Sequence, residues 1–176
     1  MSWNQVVRVG LLGFAIGATC LGLADGDEHG EHENRGQRRM IAVASNPQYK
    51  AECASCHMLY PPGLLPARSW QSMMGGLKNH FGDNASLDEK TTAEITQFLV
   101  KNAADQSSLH RSQKIAQSIS DAPLRFTETA YFKRQHHEIG AQVWQRKAVG
   151  SPAKCVACHA RAEAGIFDED EVRIPR

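Results

Sequence analysis

The sequence predicts a mainly α fold with long irregular loops, and three observations predict it. Apolar residues recur at intervals of three and four in several stretches, no stretch sustains a period-two alternation, and Gly- and Pro-rich breaks separate the periodic stretches. With 176 residues, 41% of them apolar and 22% charged, the chain can build one ordinary core or two very small ones, which excludes a large multidomain enzyme.

The first 24 residues read as an export signal. Arg8 supplies the positive charge, residues 9–18 form a short apolar run, Gly22 and Ala24 fit the small positions before a cut, and Asp25 opens the mature chain. Residues 6–23 also invite reading as an uncleaved anchor, although that length is marginal for a bilayer. Cys20 as a lipidated residue follows a weak match, Gly17-Ala18-Thr19. Arg8 is the only charged residue removed with the signal, so the remainder has balanced acidic and basic side chains. No Lys/Arg tract or basic helix points to nucleic acid. Acidic patches stand within residues 25–33 and at Asp168-Glu169-Asp170-Glu171, as solvated surface or as a docking patch for a basic redox partner.

Residues 25–45 form a polar N-terminal segment, where the spacing of His29 and His32 is weak evidence for a metal. Tyr60-Pro61-Pro62-Gly63-Leu64-Leu65-Pro66 cannot be an uninterrupted helix, because its prolines remove donors and fix φ. It is predicted to be an ordered loop. Ser69 is predicted to cap a helix through Phe81, with Trp70, Met73, Leu77 and His80 on one buried face. Gly82 and Asn84 break it. Ser86-Leu87-Asp88-Glu89 reads as a capping box for a helix running to about Ala104, with Ile95, Phe98 and Leu99 inward. Residues 108–118 form a weaker helix facing Ile115 and Ile119 inward. A stronger one is predicted over 127–145, carrying Phe132, His136, Ile139 and Val143, with Gly140 weakening its second half.

Cys53-Ala54-Ser55-Cys56-His57 and Cys155-Val156-Ala157-Cys158-His159 are two copies of C-x-x-C-H, the attachment signature of c-type haem. Two thiols at this spacing reach the two vinyl groups on one edge of a porphyrin, and the following imidazole turns beneath the ring to ligate iron. The pairs use every cysteine beyond residue 24. A four-thiolate zinc site would not require a histidine after each second cysteine, and thioredoxin-like pairs would sit between a strand and a helix. Two covalently bound haem c groups, with His57 and His159 as proximal ligands, are therefore expected to form much of the core.

The distal ligands narrow by elimination. The methionines are Met1, Met40, Met58, Met73 and Met74, and none lies later. Met58 adjoins His57, which leaves Met40, Met73 and Met74 open for the first iron. Histidine is the better supply: His80 is favoured for the first iron. Only upstream residues can serve the second, where His136 is favoured on the apolar face, His137 is the alternative and His110 a distant candidate.

These motifs, together with Arg68-Ser69-Trp70, His80-Phe81-Gly82 and the 155–175 segment, resemble the small periplasmic dihaem cytochrome c family (DHC) over residues 46–176. The resemblance implies a mainly helical electron carrier with a first haem domain at 46–106, similar to a class I cytochrome c, and a second at 107–176. It also implies bis-histidine irons, His57 with His80 and His159 with His136. Its implied partners are a small high-spin monohaem cytochrome or a membrane electron-transfer component, with no small-molecule substrate. Trp70, Phe81, Phe132 and Trp144 could border the cofactors, though core packing is the ordinary role of such residues. A small haem redox enzyme component and a ligand-sensing haem module are the alternatives, since either would need an open or displaceable axial position.

Overall fold

The computed structural model describes residues 40–176, so the segment read as an export signal, Cys20, His29 and His32 lie outside the described residues. Six α-helices and seven 3₁₀ turns are the regular elements of the described residues, with two isolated bridges and no strand. None of these helices is long and apolar enough to cross a membrane.

Helix α1 (Pro47–Cys53) starts where the Asn46 side chain accepts the Tyr49 N–H at 2.8 Å and Pro47 enters the first turn, which needs no donor there. The Pro-rich loop closes into a 3₁₀ turn at Pro62–Leu64 and is buried from Pro61 to Pro66. Trp70 fixes it by donating its indole N–H to the Pro62 carbonyl at 2.8 Å. Helix α2 (Ala67–Gly75) follows from Pro66, and helix α3 (Glu89–Lys101) packs against it. Leu64, Leu65, Trp70, Met74, Ile95 and Leu99 form their shared core. Each such large side chain contributes about 1.5–3 kcal/mol by leaving water.

Helix α4 (His110–Gln117) brings Ile115 and, just beyond it, Ile119 into that same core, so residues from both sides of position 106 build it. Arg68 donates to the carbonyls of Ile119 and Asp121, satisfying acceptors just past the end of α4. Helices α5 (Ala130–Gln135) and α6 (Ala141–Trp144) and the 3₁₀ turn Cys155–Ala157 complete the C-terminal part. Residues 41 and 42 thread between the parts. Ile41 donates to the Gly165 carbonyl at 2.8 Å, Ala42 to the Ser112 hydroxyl at 2.9 Å, and Gly63 to the Ala42 carbonyl at 3.0 Å. A Cβ at Gly63 would lie 2.7 Å from the Ala42 nitrogen, which is why glycine stands there.

Several predicted boundaries are corrected. The helix expected from Ser69 to Phe81 spans Ala67–Gly75, with Ser69 inside it, and stops at the Gly75-Gly76 pair because glycine costs helix backbone entropy. A 3₁₀ turn at Leu77–Asn79 follows and delivers His80 as its cap. The cap of α3 is Asp88, whose carboxylate accepts the Thr91 N–H at 3.0 Å, so the capping box from Ser86 does not form. That helix ends at Lys101, short of Ala104. The helix predicted over 127–145 is broken into α5 and α6. Thr129 caps the first, and at its end His136 leaves helical geometry at φ −121°, ψ 20°.

Candidate functional site

The first C-x-x-C-H motif sits at the end of α1, where Cys53 is its last residue and Cys56 and His57 follow in an exposed turn. His57 leans towards the Met58 carbonyl, with Nδ1 at 2.7 Å. That bond puts the proton on Nδ1 and leaves Nε2 free to ligate a metal. The His80 ring faces it, centre to centre at 6.2 Å and 33° from parallel.

His80 reaches this position through a tight reversal rather than a helix. Its N–H donates to the Asp83 carbonyl at 2.7 Å and its carbonyl accepts the Asp83 N–H at 3.2 Å, while Phe81 takes φ 57° and Gly82 φ 108°. A non-glycine residue in the left-handed region is uncommon and costs strain. The Arg125 guanidinium, from beyond α4, lies 3.7 Å over the Phe81 ring and holds this reversal from the other part of the chain.

The second motif occupies the 3₁₀ turn Cys155–Ala157 and the residues after it. His159 stands 6.1 Å from His136, ring centre to ring centre, with the planes at 81°. Phe132 stacks on His136 at 4.0 Å, Trp144 lies 5.9 Å from it, and Phe167 lies 5.2 Å from His159. Around the two imidazoles and Cys155 and Cys158 opens an apolar pocket, walled by Phe132, Ile139, Val143, Trp144, Phe167 and Ile174. His136 sets Nδ1 against the Phe132 carbonyl at 3.0 Å, which again leaves Nε2 for a metal.

Burial holds the imidazoles of His80, His136 and His159 below the ordinary histidine range; His57 and Arg125 push His80 down further, and His136 and Arg111 do the same to His159. All three are therefore neutral at neutral pH, the form that ligates metals. Burial pushes the Cys53 and Cys155 thiols up to about 11, with the Glu52 carboxylate adding to the first and Cys158 to the second.

The donor set fits haem. Metal–imidazole bonds of about 2.0–2.1 Å on opposite faces of one iron put the ring centres roughly 6 Å apart, as they are at both sites. No two of the four motif cysteines are joined to each other, and among the described residues no group of three or more His, Cys, Asp and Glu converges on one point. The two cysteine pairs thus form neither a common four-thiolate site nor disulfides. Of the other sequence candidates, His137 points away with 72% of its side chain exposed, and His110 is exposed at the start of α4. Met74 is buried in the core, Met73 packs against it, and Met40 pairs with Ile166. Phe81 and Trp144 border the imidazoles, whereas Trp70 belongs to the core. Sequence reasoning missed Tyr60 and Arg125, whose partners lie far along the chain.

The chain is similar to known proteins over most of its length. The family model described as dihaem cytochrome c matches residues 49–167. The solved diheme cytochrome c from Rhodobacter sphaeroides is 44% identical with a TM-score of 0.62, over 72% of this chain and 99% of that one. A diheme cytochrome type c from Shewanella baltica OS155 is 45% identical with a TM-score of 0.62, over 76% of this chain and 95% of that one. No curated protein matches the chain.

Proposed function

The chain belongs to the dihaem cytochrome c family and so carries two covalently bound haem c groups for electron transfer, and we propose that it is a periplasmic one-electron carrier with both irons bis-histidine ligated. Cys53 and Cys56 would attach the first haem and Cys155 and Cys158 the second. His57 with His80, and His159 with His136, would hold the irons. The observation that carries this reading is the second imidazole facing each motif histidine at 6.2 and 6.1 Å.

When bound, each haem supplies a reversible Fe(III)/Fe(II) couple. The protein's part is to hold that couple in place and close it to other chemistry. The carbonyls of Met58 and Phe132 fix the tautomer and tilt of His57 and His136. Phe132, Trp144 and Phe167 wall the second site with apolar surface. Two imidazoles held to each iron would leave a substrate no coordination position, which supports reading the protein as a carrier rather than an enzyme.

The periplasmic reading rests on Arg8, the apolar run at 9–18 and the small residues Gly22 and Ala24. The partner is another redox protein, a small high-spin monohaem cytochrome or a membrane electron-transfer component. The Glu169, Asp170 and Glu171 side of the second site, flanked by the pocket residues Phe167 and Val172, suits a partner with a basic face.

Low-temperature EPR of the oxidised holo-protein, combined with haem quantification, tests the reading. Two haems per chain, low-spin signals and no uptake of CO after reduction are expected. High-spin iron or CO binding by the native protein would instead favour a haem redox enzyme component or a ligand-sensing module.

A further inference from the structure

We propose that Tyr60 is a positioning residue that couples the two haem sites, holding the His57 ring on one side and the backbone that leads into Cys155 on the other. The inference rests on His57 as an axial ligand of the first haem.

The Tyr60 ring packs on His57 with centres 5.1 Å apart and planes tilted by 54°. Its hydroxyl donates to the Ala153 carbonyl at 2.7 Å, across 93 residues of sequence. That same carbonyl accepts the Cys155 N–H at 3.0 Å. A contiguous route therefore runs from an axial histidine of one site through one ring contact and one hydrogen bond to the peptide beside an attachment cysteine of the other. Such chains of packed and hydrogen-bonded groups are the physical carriers of coupling between sites.

Tyr60 is itself held firmly. The hydroxyl of buried Tyr49 donates to the Tyr60 carbonyl at 2.9 Å. A separate tether between the two segments runs beside it, from the Leu59 N–H to the Glu163 carboxylate at 2.8 Å. Exchange between the sites moves one electron and no proton: one iron passes from Fe(II) to Fe(III) as the other passes from Fe(III) to Fe(II), and Tyr60 stays in its reduced, protonated form. The tyrosine holds the two segments at bonding distance, where electronic coupling decays less steeply than across a gap.

The test uses holo-protein carrying Tyr60→Phe, which keeps the ring and deletes the hydroxyl. After laser-flash photoreduction by a free flavin donor, redistribution of the electron between the haems should slow several-fold. The EPR signal of the first haem should shift while that of the second stays in place. Glu163→Ala serves as comparison, because it cuts the neighbouring link to Leu59 without touching Tyr60, and it should redistribute electrons at the wild-type rate. A wild-type rate in Tyr60→Phe overturns the proposal whatever the EPR signal does. Equal slowing in Glu163→Ala overturns it as well, since any tether between the segments would then serve. So does loss of a haem from Tyr60→Phe, because the hydroxyl is given no part in attachment. Failure of the ligation reading shows separately, as a high-spin first haem in the unsubstituted protein.

Discussion

The imidazoles of His136 and His159 cross at 81°, whereas those of His57 and His80 lie 33° from parallel. Ligand-plane angle governs how imidazole π donation splits the iron d orbitals. Planes near parallel separate the two π-type orbitals and yield a resolved rhombic low-spin spectrum. Crossed planes leave those orbitals close in energy and yield a single large-g feature. The oxidised holo-protein should therefore show both signals at equal haem occupancy, the rhombic one from the first site. Two superimposable rhombic spectra would contradict the crossed arrangement at the second.

Removing a distal imidazole should open one haem and spare the other. His80→Ala should turn only the first haem high-spin and CO-reactive, and His136→Ala only the second. His137→Ala should change neither, since His137 is 72% exposed, sets Nδ1 against the Arg134 carbonyl at 3.0 Å and lies 3.8 Å from the Glu138 carboxylate. The double variant guards against rescue by His137 after the loss of His136. High-spin conversion in His137→Ala alone would reverse the assignment.

These two histidines also mark where sequence reading succeeds and where it stops. The attachment pairs are legible because thioether chemistry demands a fixed local spacing. His80 and His136 are also picked out, but through helices that the protein does not build. Periodicity identifies residues that must face inward, and a Gly75-Gly76 break or a cap at His136 changes the backbone without changing that demand. The interior of α3 is legible for the simpler reason that Ile95 and Leu99 repeat one helical turn apart and have no glycine between them. Tyr60 is different. Inside a Pro-rich loop its local pattern says only that the loop is ordered, and its bond to Ala153 depends on how distant segments meet. Arg125 over Phe81 is hidden in the same way.

Leu99 provides the stability test. It is 1% exposed between α2 and α3, so Leu99→Ala removes buried methyls and leaves a cavity. Unfolding of the holo-protein by guanidinium should show a loss of about 2–5 kcal/mol. Val43→Ala, at a 45% exposed side chain, should stay within about 0.5 kcal/mol of the parent. Equal losses at the two positions would contradict the core drawn around α3.

Asp88 gives a pH dependence with a definite sign. The Thr91 N–H and hydroxyl hold its carboxyl below the ordinary carboxylate range in the folded protein. A group with a depressed folded pKa contributes stability that is present above its unfolded pKa and is lost as pH falls through the folded value. The Asp88 cap should thus be complete at neutral pH and fade in acid. Asp88→Asn keeps an accepting oxygen at every pH, so its acid unfolding profile should be flatter than that of the parent. A steeper profile in the variant would place the acid-sensitive group elsewhere.

The reduction potentials bear on the ligands independently of any substitution. Axial methionine raises a haem potential relative to histidine by favouring reduced iron. Here Met74 is committed to the core with Met73 against it, Met40 pairs with Ile166, and no methionine follows Met74 in the chain. Both potentials should lie low for c-type haems, below that of the standard hydrogen electrode. Arg125 beside His80 and Arg111 beside His159 work the other way, because positive charge near an iron favours its reduced form. Arg125→Ala should accordingly lower the first potential and leave the second in place. Spectroelectrochemistry separates the two effects: a centre far above zero that also shows the near-infrared methionine–iron band would refute histidine ligation there, whereas a raised potential without that band would be the work of the arginines.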